Sequence, residues 1–459
     1  MRSLIVAFIL LVSFQLSGQS IQNCGDALLK NQLEYKYPGV SEVIKQTFAE
    51  AKTKTSSRAA VLRIPIVFHV VYNNDDQNIS DDLIRSQINI LNEDFRRINV
   101  NASETRDTFL SVVADAEIEF FLAGEDPDGN PSSGITRTFT NKSTFIDISI
   151  AELLEAAAEC GTDFTDPVVA DCLAAIFENV DIEAVKSEES GGKNAWDTER
   201  YLNIWIANYG LEGIGGGDPF PYILGFAYPP MEAPNWPADV FPDELEKKDG
   251  VVLHFQVVGR NNPFNGTLAG INDQGRTCVH EVGHYLGLRH IWGDGDCTMD
   301  DGISDTPSAG SDSQATTDVN GCSDFHDKDS CENDDMPDMI ENYMDYSVES
   351  CQNSFTIEQV ALMRAMLEGP RSGLLANEVS GVDETYSQFT IFPNPSSGEV
   401  NVVSNQQQIE LINVYDASGN LLQSTNQLSF EIANKESGIY FIEIIGKNNS
   451  SFKRIILSN

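Results

Sequence analysis

His280-Glu281-Val282-Gly283-His284-Tyr285-Leu286-Gly287-Leu288-Arg289-His290 is the stretch on which the reading of this 459-residue chain turns. Residues four apart share one face of a helix, so His280 and His284 can present both imidazoles to a single point. Glu281, one step round the helix, reaches a water held at that point. Gly287 permits the left-handed backbone that ends a helix abruptly. The chain then turns back and delivers His290 as a third ligand. Three nitrogens leave a zinc ion one position for water, the arrangement of catalytic and not of closed structural sites. Such a water is acidic enough to attack near neutral pH, with Glu281 placed to take its proton. A bare HExxH occurs by chance in many helices, but the full HExxHxxGxxH is far more specific. Three histidines and a glutamate in so short a run would also be costly to bury without a metal.

The flanking sequence has an α/β pattern. Ile64–Tyr72, IPIVFHVVY, reads as a buried strand. Ser80 can cap a helix whose first turn carries Asp81 and Asp82 and whose apolar positions are Ile84, Ile88, Leu91 and Phe95. Ile118, Phe120 and Leu122, then Leu202, Ile204 and Ile206, alternate as strands do, and Val251–Val258 reads as another. The motif helix is expected from about Gln274 to Leu286. Thr356-Ile357-Glu358-Gln359 is a capping box opening a last helix to about Leu367. Together these imply a mixed twisted sheet with an active-site helix, followed by a loop-rich lower part. Residues 145–190 form an acidic helical insertion in which Cys160 and Cys172 are expected to pair, and Gly213–Gly217 reads as a flexible loop. Beyond a polar linker at 371–388, six short strands between Phe389 and Leu457 make a small all-β sandwich.

Charge and targeting bound the function. Residues 1–60 carry 7 basic and 4 acidic side chains and residues 389–459 carry 4 and 6, so the formal −41 sits entirely in the block between them. Residues 294–349 alone hold 17 acidic side chains and one basic, Lys328. A field of that sign repels phosphates and argues against nucleic acid or anionic membranes as partners. Met1-Arg2, the apolar run Leu4–Val12 and small residues at Ser17-Gly18 read as a secretory signal peptide over 1–18. No other run is apolar for long enough to cross a membrane. Eight cysteines in an exported chain favour disulfides.

The long motif is the metzincin signature, and Asn342-Tyr343-Met344-Asp345-Tyr346, with Met344 54 residues after His290, resembles the metzincin Met-turn. By that resemblance Met344 is the apolar floor beneath the ligands and Tyr346 stabilises the oxyanion. Ala195-Trp196-Asp197, Tyr201–Ile206, Asp249–Val252, Gly275-Arg276-Thr277, Trp292-Gly293-Asp294 and Asp301–Pro307 narrow the resemblance, over about 60–370, to the pappalysin family of secreted zinc peptidases. The resemblance implies the disulfides Cys297–Cys331 and Cys322–Cys351. It also implies calcium held by side chains of Asp301 and Thr306 with carbonyls of Asp300 and Ser304. Related members place an aspartate where this chain has Ser350, selecting Arg or Lys just after the cleaved bond. Here Glu349, next to it, is the candidate substitute.

Cys24-Gly25 in the basic segment 19–60 resembles the family's propeptide cysteine, whose thiolate would take the fourth zinc position. Once 160–172, 297–331 and 322–351 are paired, Cys24 and Cys278 remain, and Cys278 falls on the helix face away from the zinc. Phe392-Pro393-Asn394-Pro395, Val414-Tyr415-Asp416, Ser437–Tyr440 and Lys453-Arg454 resemble the C-terminal sorting domain of the type IX secretion system, an address for outer-membrane export. The expected organisation is signal peptide 1–18, propeptide 19–60, metzincin catalytic domain 61–370, linker 371–388 and sorting sandwich 389–459. The expected activity is a secreted zinc metalloendopeptidase acting on protein or peptide substrates. The rival reading is a catalytically silent adhesive protein with a vestigial metal site, against which the intact Glu281 speaks.

Overall fold

The computed structural model describes residues 24–36, 39, 42, 61–146, 180–211, 220–221, 223–228, 246–314, 322, 326–331, 336–375, 389–392, 396, 398–404, 409–416, 421–432, 437–446 and 450–457. The expected signal peptide, Cys160 and Cys172, the Gly213–Gly217 loop and most of the linker lie outside them. Helix α1, Asp26–Lys36, belongs to the N-terminal segment.

Strand β1, Leu62–Tyr72, is the spine of the catalytic sheet. It pairs in parallel with β2 (Ile118–Leu122) and β3 (Ile135–Phe139) along one edge, and with β4 (Leu202–Ala207) on the other. Pro65 has no N–H to give, and it sits one residue before the β4 pairing begins at Ile66. Beyond β4 come β6 (Val251–His254), parallel, and β5 (Gly225–Ala227), antiparallel at the edge. Both faces of the sheet are covered. Ile64, Ile66, Phe68 and Val70 share a core with Ile204 and Ile206, while Val71, Trp205 and Ala207 pack into a separate cluster on the other side.

Helix α2, Asp81–Phe95, starts as its sequence requires, with Ser80 Oγ accepting from the Leu83 N–H at 3.3 Å. It lies in the first core with α3, Arg276–Tyr285. Arg276 fixes the start of α3. Its guanidinium donates to Asp94 of α2 at 3.1 and 3.2 Å, to Asn101 Oδ1 at 2.7 Å and to the Glu349 carbonyl at 2.6 Å. Helix α4, Ile357–Glu368, opens with the Thr356–Gln359 capping box. Between α3 and α4 the described chain is loop-rich, stapled by Cys297–Cys331 and Cys322–Cys351 with S–S distances of 2.11 and 2.08 Å.

Several elements differ from the sequence reading, among them a seventh strand of the C-terminal unit, Leu421–Thr425, where six were expected. The strand expected over Val251–Val258 stops at His254 and continues as a 3₁₀ turn, Phe255–Val257. There Asn262 Nδ2 donates to the carbonyls of Phe255 and Val258, at 2.8 and 3.0 Å, taking acceptors that a ladder would use. Strands β3 and β5 were not legible, being short and without clean alternation.

The chain divides into two compact units, Met1–Asn377 and Glu378–Asn459. The second is all-β. One sheet orders β7 (Phe389–Phe392), β8 (Glu399–Ser404) and β11 (Ser429–Glu431); the other orders β10 (Leu421–Thr425), β9 (Ile409–Tyr415), β12 (Gly438–Gly446) and β13 (Ser450–Leu457). Its core is the alternating set Val400, Val402, Ile412, Val414, Ile442 and Ile444 with Phe430 and Ile455. Among the described residues no helix is long and apolar enough to cross a membrane.

Candidate metal centre

Helix α3 carries His280, Glu281 and His284 into the interior, and Gly287, at φ +99°, ends it and lets His290 fold back. Each imidazole has its Nδ1 committed to an oxygen that only accepts. His280 Nδ1 faces the Tyr343 carbonyl at 2.7 Å, His284 Nδ1 the Leu288 carbonyl at 2.9 Å, and His290 Nδ1 the Asp294 carboxylate. Those oxygens place a proton on every Nδ1, which leaves every Nε2 a bare lone pair. The bare nitrogens converge: His284 Nε2 lies 3.0 Å from that of His280 and 3.1 Å from that of His290. Lone pairs packed so closely repel unless a cation lies between them, so the donor set fits a nitrogen-preferring metal such as zinc. Burial holds the His280 imidazole well below its ordinary pKa and that of His284 at about 4, so both stay neutral and able to ligate.

Cys24 completes the cluster. Its Sγ and the three imidazole nitrogens lie within 4.8 Å of one another. Cys24 Sγ also stands 3.7 Å from Glu281 Oε2, and the Gly25 N–H donates to the Gly225 carbonyl of edge strand β5 at 2.7 Å. Burial, then the charges of Glu281 and Asp26, push the Cys24 thiol up from its ordinary value. Burial and the charge of Asp26 likewise lift the Glu281 carboxyl. Glu281 Oε1, a buried polar atom against Gly225, has no hydrogen-bond partner among the described residues. Only glycine at 225 allows it there, since a Cβ would fall 2.8 Å from Oε1. Among the described residues the other free cysteine, Cys278, is buried in the core.

The turn at Asn342–Tyr346 supports the cluster from below. Asn342 Oδ1 accepts from the Met344 N–H at 3.0 Å, and Asn342 is itself held by Gln359 of α4. Met344 is fully buried against Gly283, where a Cβ would come within 2.5 Å of its sulfur. Tyr346 lies with its ring centroid 5.6 Å from that of His280 and 4.9 Å from that of His290. Burial and the surrounding acidic groups keep its hydroxyl protonated.

This constellation can be set beside known proteins. A family model described as "Pregnancy-associated plasma protein-A" matches residues 260–368, and one described as "Secretion system C-terminal sorting domain" matches residues 390–458. A promirolysin mutant of Tannerella forsythia superposes with a TM-score of 0.58 at 36% identity, over 77% of this chain and 97% of that one. The chain belongs to the pappalysin family of metzincin metalloproteases. Mature mirolysin in complex with a cleaved peptide gives a TM-score of 0.54 at 38% identity, over 71% of this chain and 100% of that one. An extracellular metalloprotease of Arthroderma benhamiae is 26% identical over 71% of this chain and 79% of its own. One from Arthroderma gypseum is 34% identical over 38% of this chain, which spans about half, 49%, of that relative. The C-terminal unit is a type IX sorting domain, which addresses this pappalysin-family chain to the cell surface or the extracellular space.

Other residues singled out from the sequence fall as follows. Glu349, the candidate substitute for a substrate-reading aspartate, is 1% exposed, and its carboxylate accepts from the start of α3. Oε1 accepts from the Thr277 N–H and hydroxyl at 2.6 and 2.8 Å, and Oε2 from the Gln274 N–H at 2.6 Å, which suits an anion at a helix N-terminus. Ser350 is exposed, and its carbonyl accepts from Asn101. Thr306 Oγ1 lies 3.1 Å from both oxygens of Asp301, whereas the Asp300 carbonyl accepts from Arg289 and the Ser304 hydroxyl donates to Glu358. The sequence reading gave no role to Asp294, which orients His290, or to Trp292, stacked on His290 at 4.3 Å. A carboxylate four residues after a terminal ligand, in a Gly-bounded turn, was the available signal.

Gly283→Ala would drive a methyl group into Met344 and tilt the helix that bears two ligands. We expect zinc content per mole of purified protein to fall well below that of the wild type, while Gly124→Ala, which meets nothing within 4 Å, leaves it unchanged.

Proposed function

We propose that this chain is a secreted zinc endopeptidase, synthesised latent, in which His280, His284 and His290 hold the metal and Cys24 closes its fourth position until the propeptide, residues 19–60, is removed. The convergence of three bare imidazole nitrogens on Cys24 Sγ, with the partnerless Glu281 oxygen beside them, carries this reading. Zinc in such a site supplies Lewis acidity, polarising a scissile carbonyl and making a water nucleophilic.

The chain's own residues do the rest. Glu281 takes the proton of the attacking water and passes it to the leaving amine, a task suited to a carboxyl whose pKa burial has raised. Tyr346, held protonated, donates its hydroxyl to the developing oxyanion. Edge strand β5 offers the Gly225 carbonyl, which now takes Gly25, to the backbone of an extended substrate. Preference for Arg or Lys after the cleaved bond rests on the acidic 294–349 segment as a whole, since Glu349 is committed to α3. A calcium ion in the Asp301–Thr306 turn belongs to the same reading. Burial lifts the Asp301 carboxyl to about 7, and a cation there would return it to the ionised form.

Glu281→Ala should lower kcat by roughly 10²–10⁴-fold with zinc retained, and Tyr346→Phe by about 10²–10³-fold with KM little changed. Steady-state kinetics with metal analysis checks both. Cys24→Ala should cleave a peptide substrate before any processing, and a lag equal to that of the wild type would contradict its role as the lock. Removing calcium with a chelator, at constant zinc content, should lower the thermal unfolding midpoint, and calcium added back should restore it.

A further inference from the structure

Asp26, Leu29, Lys30 and Leu33 fall at i, i+3, i+4 and i+7 of α1 and so share one face of that helix. That face is turned into the protein. Leu29 and Leu33 are buried in one apolar cluster with Phe145, Ile146, Val180 and Ile223. Gln32 Nε2 donates to the Val180 carbonyl at 2.8 Å, and Gly25 is bonded to Gly225. The segment thus runs from the metal cluster, past the edge strand, into an apolar seat. Lys30 bridges Asp26 at 2.6 Å and Asp294 at 3.6 Å, which sets a cation beside the carboxylate that orients His290.

We propose that the seat of α1 is a substrate-binding site. In the processed enzyme it takes an amphipathic segment of a protein substrate, with two leucine-like side chains four residues apart and a lysine or arginine beside the first. This rests on reading the chain as an endopeptidase latent through residues 24–36. Phe145, Ile146, Val180 and Ile223 belong to the part of the chain that remains after that segment leaves. They then form an uncovered apolar patch next to the cleft, the kind of surface that takes apolar ligands. Asp294 selects among occupants, because an acidic side chain at the Lys30 position would face a carboxylate. The N-terminal segment is therefore a substrate copy in chemistry as well as a lock.

The test uses the activated chain and a synthetic N-acetylated peptide of residues 27–36, which lacks both Cys24 and the Asp26 carboxylate. Fluorogenic substrates share one scissile sequence, either short or extended on one side or the other by the Leu29–Leu33 stretch. At least one extended substrate should show a KM roughly tenfold or more below that of the short one. The 27–36 peptide should remove that advantage, and the same peptide carrying L29A and L33A should not. Equal KM for the short and both extended substrates overturns the proposal, as does equal competition by the two peptides. If the short substrate is not cleaved at all, or is cleaved equally by Glu281→Ala, the endopeptidase reading fails and this proposal falls with it.

Discussion

Three imidazoles whose outer nitrogens are each tied to an oxygen acceptor force their inner nitrogens together, and that constraint organises the molecule. Tyr343 and Leu288 lend backbone carbonyls and Asp294 a carboxylate, so the proton on each ring is fixed before any metal arrives. The partners come from three places: the Met-turn, the segment after Gly287 and the turn after His290. The Met-turn is held through Asn342 to Gln359 of α4, and α3 through Arg276 to Asp94 and through Glu349 at its N-terminus. Glycine at 283 and 225 provides room for Met344 and Glu281 where any side chain would collide.

On the latency proposed above, a short N-terminal segment would silence the site. The thiol of Cys24 lies within 4.8 Å of the three nitrogens, while α1 anchors the segment beside them. Magnitudes separate the contributions to that anchor. Burying two leucine side chains contributes about 4 kcal/mol. The Lys30–Asp294 pair, with the Lys30 side chain 26% exposed, is screened and worth about 1 kcal/mol at most. Apolar contact therefore supplies most of the hold, and the ion pair sets register and charge preference.

Much of this was legible in the sequence, for reasons that differ by element. His280, His284 and Gly287 declare themselves through helical periodicity and a helix stop, and Ser80 and Thr356 through local capping that depends on a few neighbouring residues. Tertiary partners were less visible. Nothing near Glu349 in sequence reveals that it caps a helix begun more than seventy residues earlier. Strand β5 is three residues long and exists only because β6 pairs with it, so Gly-Phe-Ala carries no strand pattern of its own. The strand begun at Val251 stops early because the Asn262 side chain claims two of its acceptors, a competition that periodicity does not register.

In the proposed latent form the chain holds zinc through three imidazoles and the Cys24 thiolate. X-ray absorption at the zinc edge, on the zinc-loaded full chain before and after activation, tests it most directly. Three nitrogen neighbours and one sulfur at about 2.3 Å are expected in the latent form, with the sulfur replaced by an oxygen or nitrogen neighbour once the propeptide is gone. A latent form without sulfur in the first coordination shell, or zinc bound with fewer than three nitrogens, would contradict it.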